Sequence, residues 1–346
     1  TFSPVNFGVV LHAVIREVCD EIKKNGESYY LISEEKRREM VKRSVAAITD
    51  IYQNSILKDS SRNSFMIKRM EDLADRTIWA MGEQLKCGDF VPFVFEHKFN
   101  MEVGDGDRKQ LMSGTIDRVD ICENGTDVYV RIIDYKTGKK DFNIVKTYYG
   151  IDIQLMVYME AAMKLVAKMR PGKNVIPAGV FYYNISDPIV SATTESAEEI
   201  EDKIKGELRL KGMVNSDKDI AEKMDNTEGT SLNIPVSRKA DGGFDSRRSK
   251  VMNTEQFNML GRFVDVRAVD TADRIAGGDI RRSPYKDGQF SSCDRCPYGA
   301  VCGFSVDLPG CNYRKLKKFD DEVLWNNIEE GVDENGKKMD TGAEER

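Results

Sequence analysis

The sequence predicts a mixed α/β fold, a central sheet flanked by helices, and three observations carry that prediction. Residues 111–136 (LMSGTIDRVDICENGTDVYVRIIDYK) form a hairpin pattern, with Asn124-Gly125 between two runs rich in Val, Ile, Thr and Tyr. A helical pattern over 148–169 is followed by an apolar strand pattern over 175–186, the arrangement of a right-handed crossover onto a mixed sheet. Before the hairpin, helical patterns occupy the first residues and about 34–57 and 62–87, apolar on one side and charged on the other.

The elements follow in order. Phe7, Val10, Leu11, Val14, Ile15 and Val18 recur at helical spacing, with His12 at the edge of that apolar face. The stretch VPFVFEHKF, 91–99, reads as a strand and Gly104 to Asp107 as a turn, so three antiparallel strands stand together. Ile151, Leu155, Tyr158, Met159, Ala162 and Leu165 trace one face of the helix after the hairpin. Residues 195–210 and 253–277 read as helices, and the polar stretch between them, with Gly242-Gly243, as an inserted loop region. Gly331 to Arg346 is polar, charged and glycine-containing, the composition of a disordered tail.

A chain of 346 residues, 40% hydrophobic and 32% charged, has the composition of a soluble globular protein of one large domain or two. No apolar run approaches the ~20 residues of a membrane span and no signal peptide precedes the first helix, which argues against a membrane or secreted chain. The sequence opens at Thr1, without methionine and close to a helical pattern, and so reads as part of a longer polypeptide. A net charge of −6, from 52 basic and 58 acidic residues, argues against holding nucleic acid by charge alone. Basic clusters are local: Lys136 to Lys140, Arg247-Arg248 with Lys250, and Arg281-Arg282. The first adjoins the hairpin, which makes Lys139 and Lys140 the expected phosphate contacts.

The hairpin carries the chemistry. With Asn124 and Gly125 as the loop, Glu123 pairs with Thr126, Asp117 stands opposite Ile132 and Thr115 opposite Asp134. Period-two alternation then projects Asp117, Asp134 and Lys136 from one face, the two carboxylates as diagonal neighbours ~7–8 Å apart at the backbone. Two carboxylates converging beside Val119, Val128 and Val130 repel one another and are poorly solvated, so a hard divalent cation, Mg²⁺ or Mn²⁺, is the natural compensation. Lys136 would stand beside it, where it can orient a nucleophile and stabilise charge growing on phosphorus. For a bare D-x-K, ordinary surface charge is the commoner explanation, and the flanking apolar run with the upstream Asp shifts the balance. The same register sets Arg118 opposite Arg131, a like-charge pair that Asp120 must offset from the diagonal.

Of seven cysteines, Cys19, Cys87 and Cys122 are scattered and read as independent reduced thiols. Cys293, Cys296 and Cys302 crowd into ten residues beside Pro and Gly turns, which suits a thiolate site for an iron–sulfur cluster or for zinc. Cys311 sits in a separate Pro-Gly turn, and a disulfide is the alternative for a chain with no secretory features.

Six ordered elements now carry a family likeness: Phe7-Gly8 with His12 opening a helix, Glu96 on a strand, Gly114 to Asp120, Ile133 to Gly138, Gln154-Leu155 with Tyr158, and the cysteine cluster followed by Asn312-Tyr313-Arg314. The chain resembles the nuclease domains of the AddB family of helicase-nucleases, in the RecB-like branch of the PD-(D/E)XK nucleases. That resemblance implies a restriction-endonuclease-like α/β fold with helical additions. It implies a nuclease domain over 1–322, with a helical insertion at 34–87, an inserted loop and helix region at 196–252, a cysteine-cluster segment at 290–314, and a polar tail at 323–346 that is partly disordered.

The resemblance further implies that His12, Asp117, Asp134 and the Tyr135 carbonyl hold the metal, that Lys136 is catalytic, and that Glu96 binds a second metal or its water. Without it, His12 would be a boundary residue packing on the core, the reading His97 keeps, and Glu96 a solvent-facing strand residue. Gln154 and Tyr158, one helical turn apart, are expected to brace the site and contact DNA. Cys293, Cys296 and Cys302 are expected to join a fourth cysteine, upstream of Thr1, around a structural [4Fe–4S] cluster, leaving the cluster absent or incomplete in this chain. The implied activity is metal-dependent DNA exonuclease action on a single strand from unwound duplex, in the cytoplasm, within a heterodimer whose other member is the A-type helicase-nuclease partner. The alternative is a non-catalytic nuclease-like scaffold for DNA contact and assembly.

Overall fold

The computed structural model describes residues 4–51, 61–103, 109–191 and 196–333. These residues fall into two compact units, one drawing on Thr1–Asn100, Ser113–Phe142 and Gln154–Asn258, the other on Met101–Met112, Asn143–Ile153 and Met259–Arg346. The elements run α1 (Pro4–Lys24), α2 (Glu34–Ile51), α3 (Ser61–Lys86), β1 (Val91–Val103), β2 (Gln110–Asn124), β3 (Asp127–Lys136), α4 (Ile144–Tyr148), α5 (Gln154–Met169), β4 (Asn174–Asn184), α6 (Ala197–Glu207), β5 (Lys211–Asn215), α7 (Lys218–Met224), β6 (Val251–Met252), α8 (Thr254–Ala276), β7 (Tyr285–Asp287), β8 (Phe290–Ser291), α9 (Gly299–Cys302), β9 (Arg314–Lys315) and α10 (Asp321–Asp333).

Six strands form one mixed sheet in the order β1-β2-β3-β4-β5-β6. The β2/β3 and β4/β5 pairs are antiparallel, and β3/β4 and β5/β6 are parallel. The parallel β3/β4 pair is what the segment through α5 was expected to create, because parallel neighbours need a crossover. In the first unit, Leu11, Val14, Ile15, Val18 and Ile22 of α1 are buried with Ile78 and Met81 of α3 and with Ile133, Tyr135, Phe181 and Tyr183 of the sheet. The 3.6-residue period of the sequence is thus the stripe by which α1 enters the core.

The hairpin turns one residue later than expected. Gly125 and Thr126 are the turn residues and Asn124 pairs with Asp127. Gly125 has φ 59° and is the central residue of the pair with positive φ, which suits the first central position of a type II′ turn. Asn124 stays in β2, its Nδ2 donating to the Tyr129 hydroxyl at 3.1 Å and to Asp219 at 3.0 Å. The register moves by two residues, so every side chain keeps its expected face, but the partners change. Arg118 pairs with Ile133 and Asp120 with Arg131, replacing the Arg118–Arg131 clash, and the next pair in the same register is Asp117 with Asp134.

Other expectations also shift. The helix expected over 148–169 begins later, as α5 at Gln154; Tyr148 ends the short α4, and Gly150, with φ 71°, and Ile151 lie between the two. The stretch expected to be an inserted loop contains β5, which pairs with β4 in the main sheet, then α7 and β6. Its apolar residues are short-spaced but buried: Val214, Ile220, Met224, Ile234 and Val236 all belong to the core. The tail expected from 323 is helical through Asp333, with Leu324 and Ile328 buried. The expected turn at Gly104 to Asp107, the end of the 34–57 helix and the tail beyond 333 lie outside the described residues. No described helix is long and apolar enough to cross a membrane.

Candidate active site

Five elements meet at the end of the hairpin: α1, β1, β2, β3 and α5. His12 comes from the edge of the α1 stripe. Its Nδ1 lies 3.5 Å from Asp117 Oδ2 and 3.6 Å from Glu96 Oε1. Among the described residues, His12, Glu96 and Asp117 are the group of three whose ligand atoms lie within 4.8 Å of one another. Glu96 reaches this point with φ 47°, the only described residue other than glycine with positive φ. Backbone in that region costs of order 1–3 kcal/mol and is retained where surrounding structure fixes it.

Asp117 is held from below by the Tyr135 amide, which donates to Oδ2 at 2.7 Å. Asp134 is 2% exposed, and its Oδ2 lies 2.6 Å from Lys136 Nζ. Gln154, at the start of α5, closes the arrangement: its Nε2 donates to Asp134 Oδ1 at 3.0 Å and lies 2.9 Å from the Tyr158 hydroxyl, while its Oε1 accepts from Lys136 Nζ at 3.1 Å. Tyr158 packs edge-on against Phe99, ring centroids 5.8 Å apart. Gly114 makes room for that pair, since a Cβ there would stand 2.9 Å from the Phe99 ring and 3.4 Å from that of Tyr158.

Burial and the nearby Asp117 charge raise the Asp134 carboxyl to about 6, against the pull of Lys136 and His12. Burial works against a charged His12, but hydrogen bonds and charge from Asp117 and Glu96 outweigh it and raise the imidazole to about 10. Both shifts report one condition: negative charge is concentrated in a poorly solvated place. A divalent cation satisfies that condition, and oxygen donors with one imidazole are a donor set for Mg²⁺ or Mn²⁺. The residues present therefore fit such an ion.

On the opposite face of the same hairpin, Asp120 is fully buried between Arg118 and Arg131, each 1% exposed. Its carboxylate accepts from Arg118 Nε at 2.7 Å and Nη2 at 2.6 Å, and from Arg131 Nε at 2.9 Å. Burial alone would raise the Asp120 carboxyl, and the two guanidinium groups reverse this and hold it below its usual range. The triad fixes the register that sets Asp117 beside Asp134.

Lys139 and Lys140 line a cleft in the same unit. The Lys140 amide donates to Asn184 Oδ1 at 2.9 Å, and Asn184 Nδ2 donates back to its carbonyl at 3.0 Å. Tyr182, a strand residue not among those singled out from the sequence, has Lys136 Nζ 5.6 Å and Lys140 Nζ 4.4 Å from its ring centroid. His97 is not in the group formed by His12, Glu96 and Asp117 and keeps the plain reading.

The cysteine segment belongs to the second unit. Cys296 donates its amide to the Cys293 carbonyl at 3.2 Å, and Cys302 ends α9 before Gly303, which takes φ 64°. All seven cysteines are free thiols. Among the described residues, Cys293, Cys296 and Cys302 do not form a group of three sulfurs within 4.8 Å of one another.

A family model described as the PD-(D/E)XK nuclease superfamily matches residues 1–303. The chain belongs to that superfamily. Asp134-Tyr135-Lys136 has the residue pattern (D/E)-X-K that the family description spells out, and Ile116-Asp117 lies before it on the neighbouring strand. Curated relatives are similar over nearly the whole chain. The B-type subunit of the ATP-dependent helicase/deoxyribonuclease from Thermoanaerobacter sp. (strain X514) is 32% identical over 351 residues, 98% of this chain and 30% of the relative. Its counterpart in Caldanaerobacter subterraneus subsp. tengcongensis is 34% identical over 354 residues, covering 99% of this chain and 30% of the relative. The counterpart in Clostridium acetobutylicum is 33% identical over 346 residues, 97% of this chain and 30% of the relative. This PD-(D/E)XK chain therefore spans about 30% of the length of the curated relatives it matches.

Proposed function

We propose that the chain is the metal-dependent deoxyribonuclease domain of a helicase-nuclease that processes double-strand breaks for recombinational repair. The observation that carries the reading is the convergence of His12, Glu96 and Asp117 beside the buried Asp134 and its partner Lys136. His12, Asp117, Asp134 and the Tyr135 carbonyl would hold the metal, with Glu96 on a second ion or a water. Bound there, Mg²⁺ or Mn²⁺ supplies Lewis acidity to a phosphoryl oxygen and acidifies water.

The chain's own residues do the rest. Lys136 presents its ammonium where the attacking water and the phosphoryl oxygens meet, and stabilises the charge that grows there. Gln154 holds both Lys136 and Asp134, so cation and carboxylate keep a fixed spacing through the reaction. Attack in line with the departing 3′-oxygen leaves 5′-phosphate and 3′-hydroxyl ends. The substrate we assign is a single DNA strand, the one ending 5′ at the break, delivered by helicase action in a heterodimer with an A-type helicase-nuclease partner in the bacterial cytoplasm. With a net charge of −6 the chain alone is expected to hold DNA weakly at physiological salt. Cys293, Cys296 and Cys302, with a fourth ligand, are assigned to a structural iron–sulfur cluster.

Cleavage of end-labelled single-stranded DNA with Mg²⁺ or Mn²⁺ tests the reading. Wild type should cut and EDTA should stop it, while Asp134→Ala and Lys136→Ala should lose activity at least 100-fold, about 3 kcal/mol of transition-state stabilisation. Equal activity in all three chains would overturn the assignment.

A further inference from the structure

We propose that the N-terminal half of α3 is one wall of a single-strand track, with Arg62 and Arg69 contacting phosphates and Phe65 stacking on a base, which leads DNA to Lys136. The destination of the track rests on the nuclease reading above; the track itself rests on separate observations. A cleft of about 1100 Å³ in the first unit has Arg62, Phe65 and Arg69 on its α3 side and Lys139, Lys140 and Lys211 among its other lining residues. Arg62, Phe65 and Arg69 recur at intervals of three and four, which puts them in one stripe of the helix. Phe65 is 66% exposed, on a helix whose later turns bury Met70, Leu73, Ile78 and Met81. A phenyl ring left in water between two arginines is the element from which sequence-tolerant stacking platforms are made.

The charge of the cleft also favours a polyanion. Beside Glu207, its acids have cations of their own: Asp72 lies 3.0 Å from Lys68, Asp141 2.5 Å from Lys250 and Asp187 3.0 Å from Arg76. The lining thus carries six basic residues against four acidic ones, in a chain that is acidic overall. The cleft comes close to the candidate site, since Thr137 and Gly138, the two residues that follow Lys136, are among its lining. Lys140 Nζ lies 4.4 Å and Lys136 Nζ 5.6 Å from the Tyr182 ring, so the two ammonium groups are no further apart than those distances laid end to end. A strand with its phosphates on Lys139 and Lys140 is thereby directed to Lys136, and an unpaired base is required for Phe65 to stack.

Binding of a fluorescein-labelled oligo(dT) by the whole chain, followed by anisotropy in EDTA across a salt series, tests the track. Phe65→Ala should weaken binding by roughly 5- to 100-fold without changing the salt slope, and Phe65→Tyr should restore it. The Arg62→Ala/Arg69→Ala pair should lower the magnitude of the slope by about 1.4, while Arg247→Ala/Arg248→Ala, outside the cleft, keeps the wild-type slope. Wild-type affinity in both Phe65→Ala and the Arg62/Arg69 pair would overturn the proposal, as would equal loss in the Arg247/Arg248 pair. EDTA separates the two readings: Phe65-dependent binding by a chain that never cuts DNA supports the track and defeats only the nuclease assignment.

Discussion

Gln154 Nε2 donates to Asp134 Oδ1 at 3.0 Å while the other end of the same amide accepts from Lys136. One neutral side chain thus spaces the acid and the cation of the D-x-K pair. Gln154→Leu keeps the helix and removes both bonds. It should lower metal affinity or turnover by about 10- to 100-fold with little change in thermal stability. Metal titration beside steady-state kinetics checks this, and unchanged kcat with unchanged metal affinity would show that Gln154 is ordinary helix surface.

Metal binding should release protons. The metal-free His12 titrates at about 10, so at pH 7.5 it is charged, and a charged imidazole cannot be a ligand. About one proton should therefore leave per ion bound, and affinity should climb with pH from about 6 to about 10. Below the Asp134 value of about 6 a second proton should be released. In the metal-free chain, the raised His12 also contributes stability that is complete below 6.5 and lost as pH rises toward 10. Calorimetry in buffers of different ionisation enthalpy reads the proton count. No release at pH 7.5, or the same release from His12→Gln, would contradict the coordination proposed.

The buried triad should be costly to break. Asp120→Ala leaves Arg118 and Arg131 without their shared carboxylate in the core and should cost about 3–5 kcal/mol. Because Asp120 is held below its usual range, its contribution is present above the unfolded value near 3.8 and disappears as pH falls through the lower folded value. Denaturant unfolding at neutral pH measures the cost, and a loss under 1 kcal/mol would mean that the pairing does not fix the register.

Much of this was legible along the chain, and the reasons are particular. Asp117, Asp134 and Lys136 share a face because period-two alternation survives a two-residue change of register, so misplacing the turn altered partners without altering sides. Placing the turn correctly needed the knowledge that Gly125 alone takes positive φ. The convergence of His12 and Glu96 on Asp117 joins segments far apart in sequence, and only the family resemblance anticipated it. Glu96 also depends on a strained backbone angle that no residue pattern announces. Strand β5 was missed because it is five residues long and embedded in polar sequence, and Tyr182 because an aromatic in a buried strand reads as packing. Phe65 did leave a signal, an aromatic between Arg62 and Arg69 on one helical stripe, easily overlooked on a helix already explained by its apolar face.

The central claim is that His12, Asp117 and Asp134 form a divalent metal centre. Anomalous diffraction from crystals of the chain soaked in Mn²⁺ tests it most directly. A strong peak should stand within coordination distance of a His12 ring nitrogen and of Asp117 and Asp134 oxygens, and be absent from Asp134→Ala crystals. Saturating Mn²⁺ with no peak among those side chains would contradict it.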